Sequence, residues 1–184
     1  SEVEELVKDL KRILDEIKRT NDELNKELKR LSDESRKLSK ENIDRLRRIL
    51  EEIEKTIRRR KTEEVKRRIE ELVERMRRSS EEVVRRIEKL NEEANRKVEK
   101  VKRENKELLE RAERKVREVA KRIKDEEKVR KLEKLLEDIK RTVDKIIRES
   151  EKRAEEINRD NRRIIEENKK KLEEIARRVE ELAR

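Results

Sequence analysis

Apolar positions recur at steps of three and four from the start of the chain. Val3, Leu6, Leu10, Ile13, Ile17, Leu24, Leu28, Leu31, Leu38, Leu46, Ile49 and Ile53 trace one face of a helix. The repeat that fits best is about 18 residues, five turns of 3.6. It relates Leu10 to Leu28 and Leu46, and Ile13 to Leu31 and Ile49. A strict heptad would impose a left-handed supercoil, so this longer period predicts nearly straight helices.

The same repeat locates the breaks. One period on from Ile49, Leu50 and Ile53 lie Arg67, Arg68 and Glu71, so the phase is lost across Thr62. Leu108, Ala112 and Val116 map to Glu126, Arg130 and Lys134, so it is lost again across Asp125. Val65, Ile69 and Leu72 map to Val83, Ile87 and Leu90, so it survives across Ser79-Ser80. Ser79-Ser80-Glu81-Glu82 has the local chemistry of a helix start, but the phase places it inside a helix. The same holds for Ser32-Asp33-Glu34-Ser35 and for Ser150.

Three helices follow, over residues 1–61, 63–124 and 126–184. Each has roughly 59 residues and is about 88 Å long at 1.5 Å per residue. Ser1 with Glu4 matches a capping box. Thr62 precedes Glu63 and Glu64, and Asp125 precedes Glu126 and Glu127, which suits a cap followed by an acidic first turn. Arg58 to Lys61 place cations at the end of the first helix. The loops contain no glycine, so a residue such as Lys61 or Lys124 is expected in left-handed backbone, at a cost of roughly 1 kcal/mol. Short connections make successive helices antiparallel. The predicted fold is all-α, an antiparallel up-down-up three-helix bundle forming one domain over residues 1–184.

Polar residues interrupt the apolar stripe. They are Asn21, Ser35 and Asn42 in the first helix, and Ser80, Asn91 and Asn105 in the second. The third has Ser150, Asn161 and Asn168, with Thr142 and Asn158 at the edge of the stripe. A buried amide without a partner costs several kcal/mol in an apolar setting, so these side chains should meet each other. Antiparallel hairpins pair positions whose numbers sum to roughly 123 for the first two helices and roughly 249 for the last two. That rule groups Asn42 with Ser80 and Asn168, Ser35 with Asn91 and Asn158, and Asn21 with Asn105 and Thr142. Three hydrogen-bonded layers are expected in an otherwise aliphatic core. Such layers penalise a slipped register or a wrong topology, because either would strand the amides.

Composition narrows the chemistry. The chain has 184 residues and lacks Gly, Pro, Cys, His, Trp, Tyr and Phe. Turn-rich β folds are therefore excluded in practice. Without His or Cys there is no imidazole base, thiolate or zinc-finger ligand set. A di-metal bundle site needs inward Glu-x-x-His motifs, and the stripe holds no acidic residue. Pairs such as Glu166-Glu167 read as a solvated face, and the serines have no base partner. No catalytic, cofactor-binding or metal residue is expected, and no enzyme activity. Charged residues make up 60% of the chain, but the helical spacing and the Glu, Lys and Arg content argue against disorder.

The net charge of +10 is interleaved along all three helices. It allows weak, salt-sensitive phosphate contacts, but no base stacking without aromatic residues, so no specific nucleic-acid partner is expected. No apolar run reaches a membrane span, and Ser1-Glu2-Val3-Glu4 is not the start of a signal peptide. No small-molecule substrate or membrane partner follows. The localisation is left open, with solubility expected on recombinant expression. Apolar residues are 29% of the chain, about two in seven, which is one seam per helix. A monomer is expected. The alternative is self-association or a designed partner helix docked on an open face. A long aliphatic core with local contacts also predicts fast folding and a high melting temperature.

Uniform Glu/Lys/Arg surfaces, as in Glu51-Glu52-Ile53-Glu54-Lys55, equal helix lengths, aliphatic-only cores and Asn/Ser layers occur here together. In these features the chain resembles de novo, computationally designed helical bundles with buried hydrogen-bond networks. The resemblance implies a structural scaffold with no natural activity, or a component of a designed assembly. Glycine-free and proline-free loops depart from that pattern. Spectrin-like repeats also have three antiparallel helices, but theirs are shorter and carry buried tryptophans.

Overall fold

A computed structural model describes residues 1–59 and 62–184. It contains three long helices: α1 (Glu2–Arg59), α2 (Glu63–Arg122) and α3 (Glu126–Ala183). They hold 58, 60 and 58 residues. Among the described residues there is no strand. The helix runs unbroken through Ser32–Ser35, Ser79-Ser80 and Ser150, as the phase of the stripe requires.

Caps explain where each helix starts. The Glu4 amide donates to Ser1 Oγ at 3.3 Å, and the Glu4 carboxylate lies 3.7 Å from the N-terminal ammonium. The Val65 amide donates to Thr62 Oγ1 at 3.3 Å. Asp125 Oδ1 accepts from the amides of Glu127 and Lys128, at 3.1 and 3.4 Å. Each oxygen satisfies amides that have no carbonyl partner in the first turn. Acidic residues fill all three first turns, next to the positive end of the helix dipole.

The end of α2 differs slightly from the expected bound, which is usual for fraying termini. The second helix stops at Arg122, and the Ile123 amide still donates to the Val119 carbonyl at 3.2 Å. Left-handed backbone at Lys124 does not occur, since no described residue has positive φ. The connection from Ile123 to Asp125 turns within the ordinary allowed regions, with Asp125 already serving as cap, so the strain is not needed. Lys61, the other residue expected to be left-handed, lies outside the described residues, as does Arg60 in the cationic end of α1.

Contacts divide the chain into two compact units. The first comprises Ser1–Lys29 and Ala94–Glu156, and the second comprises Arg30–Glu93 and Ile157–Arg184. Each helix contributes a segment to both.

In the first unit, Leu6, Leu10, Ile13 and Ile17 of α1 pack with Ala112, Val116 and Val119 of α2 and with Leu132, Ile139, Val143 and Ile146 of α3. Ion pairs join Glu2 to Arg122, Asp9 to Lys115 and Glu27 to Lys97, at 2.7, 3.4 and 3.4 Å. Numbers rise on α1 as they fall on α2, so these two segments run in opposite directions.

In the second unit, Leu46, Ile49 and Ile53 pack with Ile69, Leu72 and Met76 and with Ile175 and Val179. Leu38, Val83 and Ile87 form a further cluster in that unit, with Ile164 and Ile165 against it. Glu52 accepts from Arg68 at 2.8 Å, and Arg30 lies 3.7 Å from Glu93. The α1 and α2 segments are again antiparallel. Every α1 stripe residue from Leu6 to Ile53 named above is buried, and among the described residues no large hydrophobic side chain is exposed. Burial of this kind supplies about 1.5–3 kcal/mol per large aliphatic side chain.

Candidate functional site: the buried polar layers

The stripe positions taken by Asn and Ser are carried into the core with their aliphatic neighbours. Asn42 and Asn168 are fully buried, and Ser80 is 3% exposed. In the second unit these three meet. Asn42 Nδ2 donates to Asn168 Oδ1 at 2.9 Å and to Ser80 Oγ at 3.3 Å. Asn42 Oδ1 accepts from the Ser79 hydroxyl at 2.7 Å, and Ser79 Oγ accepts from Arg45 Nη1 at 2.8 Å. Asn168 Nδ2 donates to Ser39 Oγ at 2.9 Å and to the Ile164 carbonyl at 2.7 Å.

Both N–H groups and the oxygen of each amide are therefore used, which is what makes a buried amide tolerable. The network links all three helices and reaches the surface at Arg45. Because that end is a guanidinium, its hydrogen bond is charge-assisted and the stronger for it.

Three members of this network, Ser39, Ser79 and Arg45, were not among the expected site residues. Ser39 precedes Asn42 by three positions and so shares its face, a spacing that could have found it. Ser79 and Arg45 sit beside the stripe, where sequence alone does not separate rim from core.

Of the second layer only an α2–α3 pair is bonded, and with a change of partner. Asn161 Nδ2 donates to Asn91 Oδ1 at 3.0 Å, with Asn161 buried and Asn91 half-buried. The expected α3 member, Asn158, is half-buried and its Oδ1 has no partner. The number rule fixes height along the axis but not the direction a side chain faces. Ala154, Ile157, Asn161 and Asn168 make the buried face of α3, and Asn158 falls beside it. Ser35 is fully buried, and its hydroxyl has no partner.

The third layer is not joined by hydrogen bonds. Asn105 is fully buried in the first unit, and neither Nδ2 nor Oδ1 has a partner. Asn21 is half-buried. Thr142 turns its hydroxyl back to the Asp138 carbonyl at 2.8 Å, one turn earlier in its own helix, a common alternative for threonine. Ser150 is the buried serine of α3 in the same unit, 1% exposed with an unpartnered Oγ.

One ion pair in the first unit perturbs its own titration. Lys102 Nζ lies 2.7 Å from Glu151 Oε1 and 3.2 Å from Glu99 Oε1, with the lysine side chain 18% exposed. The hydrogen bond from Lys102 holds the Glu151 carboxyl below its ordinary range, and the same bond raises the Lys102 ammonium above its own. In the second unit, the Glu52 hydrogen bond raises the Arg68 guanidinium.

Open grooves on the surface have charged rims. One of about 440 Å³ is lined by residues including Glu16, Thr20, Glu107 and Arg111. Among the described residues no group of three or more acidic side chains is placed to hold a metal ion. No helix, among those residues, is long and apolar enough to cross a membrane.

No family model matches this chain, and no curated protein does. Among solved structures it is similar to a protein described as a computationally designed three helix bundle. The identity is 18% and the TM-score 0.37, over 99% of this chain and 83% of that one.

Proposed function

We propose that the chain is a designed structural scaffold with no natural biochemical activity, in which buried Asn and Ser layers set helix register and topology. The observation that carries this reading is the Asn42–Asn168–Ser80 network, bonded across three helices inside an aliphatic core. Slipping one helix past another would strand amides whose partners lie on the other two. That penalty is several kcal/mol in an apolar setting and acts against wrong pairings without adding much net stability to the right one. The absence of imidazole and thiol groups from the sequence supports a non-enzymatic role. The whole chain is read as one up-down-up bundle and one folding unit.

A second reading makes the chain an assembly component, with its polar layers selecting a partner helix or a second copy. Burial of the stripe favours the self-contained scaffold, because little apolar surface is left to offer. Light scattering with refractive-index detection separates the two. A solution mass of 22.7 kDa supports the scaffold, and a multiple of it supports the assembly. In the monomer, Asn168→Leu should affect uniqueness of register. In an assembly it should change which partner is held.

A further inference from the structure

Asn105 is the one fully buried amide whose nitrogen and oxygen both lack a partner among the described residues. A second orphaned group lies at a similar height. Ser150 Oγ of α3 is likewise buried and unpartnered. The Lys102–Glu151 pair fixes their relation, since it joins α2 to α3 within the same unit at 2.7 Å. Asn105 follows Lys102 by one turn and Ser150 precedes Glu151 by one residue. With a short connection setting α2 and α3 antiparallel, both steps run the same way.

Small side chains flank this pair on one side. One turn away along each helix lie Val101 and Ala154, both buried and both small. The large aliphatic cluster of this unit lies to the other side, with Ile146 at its edge and Leu108 against it.

We infer that Asn105 and Ser150 form a binding site for a buried water molecule. The amide and the hydroxyl can each bond one water, so a water between them finds the two polar partners that are the least it needs. Polar interiors hold such waters, and a buried amide left dry would be costly. This site differs in kind from the Asn42 network, whose amides already use their groups on protein partners. It holds whether the chain acts alone or with a partner.

The test is a crystal structure of the full chain at a resolution that shows ordered water, together with water–amide NOE spectra of the same protein. The expected result is a water peak about 2.7–3.2 Å from an Asn105 side-chain atom and from Ser150 Oγ. The NOE spectrum should show a water cross-peak at the Asn105 side-chain amide and none at Asn42. Both signals should be lost in an Asn105→Leu, Ser150→Val variant. A direct hydrogen bond between Asn105 and Ser150, or an Asn105 amide with neither peak nor cross-peak, would overturn the inference.

Discussion

Asn42 donates to Asn168 Oδ1 at 2.9 Å, and these two residues lie on the first and third helices, 126 positions apart in the chain. A hydrogen bond over that separation depends on both helices keeping their register on the one between them. Asn42 is consequently the hub of the second unit's polar layer. Asn42→Leu should leave Asn168 Oδ1, Ser79 and Ser80 short of partners and destabilise the protein by about 1–3 kcal/mol per stranded group. Chemical denaturation checks this, with a lower midpoint and an unchanged slope as the expected result.

The unjoined layer should respond differently. Asn105→Leu combined with Ser150→Ala removes two polar groups that have no protein partner. It should cost at least about 1 kcal/mol less than Asn42→Leu alone, because no protein hydrogen bond is broken and no partner is stranded. The same denaturation series measures both.

Leu72 and Ile17 are fully buried, in the second and first units respectively. Truncating either to alanine should cost about 2–5 kcal/mol, as for other large-to-small changes in close-packed cores. Thermal melts of the two single variants would show it, and both should fall well below the parent.

Caps should matter where glycine is missing. Thr62→Ala removes the oxygen that accepts from the Val65 amide, and Asp125→Ala removes the one that accepts from Glu127 and Lys128. Each should cost about 0.5–2 kcal/mol. Thr62→Ser and Asp125→Asn should restore most of the loss in the same melts.

The Lys102–Glu151 pair predicts a pH dependence with two limbs. The Glu151 carboxyl is held low in the folded state, so its contribution is present above the ordinary carboxylate value and is lost as pH falls through the folded one. The Lys102 ammonium is held high, so its contribution is present below the ordinary lysine value and is lost as pH rises through the folded one. Between those limits the pair is intact, and its effect is small because Glu151 is solvent-exposed. NMR titration of Glu151 should give a lower midpoint in the parent than in Lys102→Met.

Much of this was legible in the sequence because one physical signal dominates it. The stripe from Leu6 to Ile53 repeats with the helical period, and its phase both counted the helices and rejected the false starts at Ser35, Ser80 and Ser150. Helix height was legible too: Asn42, Ser80 and Asn168, which the number rule groups, are hydrogen-bonded together through Asn42. Facing direction was not. Asn158 and Asn161 differ by less than one turn in height but point differently, and only packing of α3 settled that Asn161 meets Asn91. The Thr142 hydroxyl was lost to its own backbone, a local competition that register cannot reveal. The strain expected at Lys124 failed for a related reason, since the Asp125 cap starts α3 without left-handed backbone.

The central claim is that the buried amides choose the register. The most direct measurement is a two-dimensional amide correlation spectrum of Asn42→Leu, Asn168→Leu beside the parent. The parent should show one peak per backbone amide. The variant should stay helical but show doubled or broadened peaks around Ser39, Ser79 and Ile164, as slipped pairings become populated. A variant with a single sharp set of peaks and the parent's helix pairing would contradict the account.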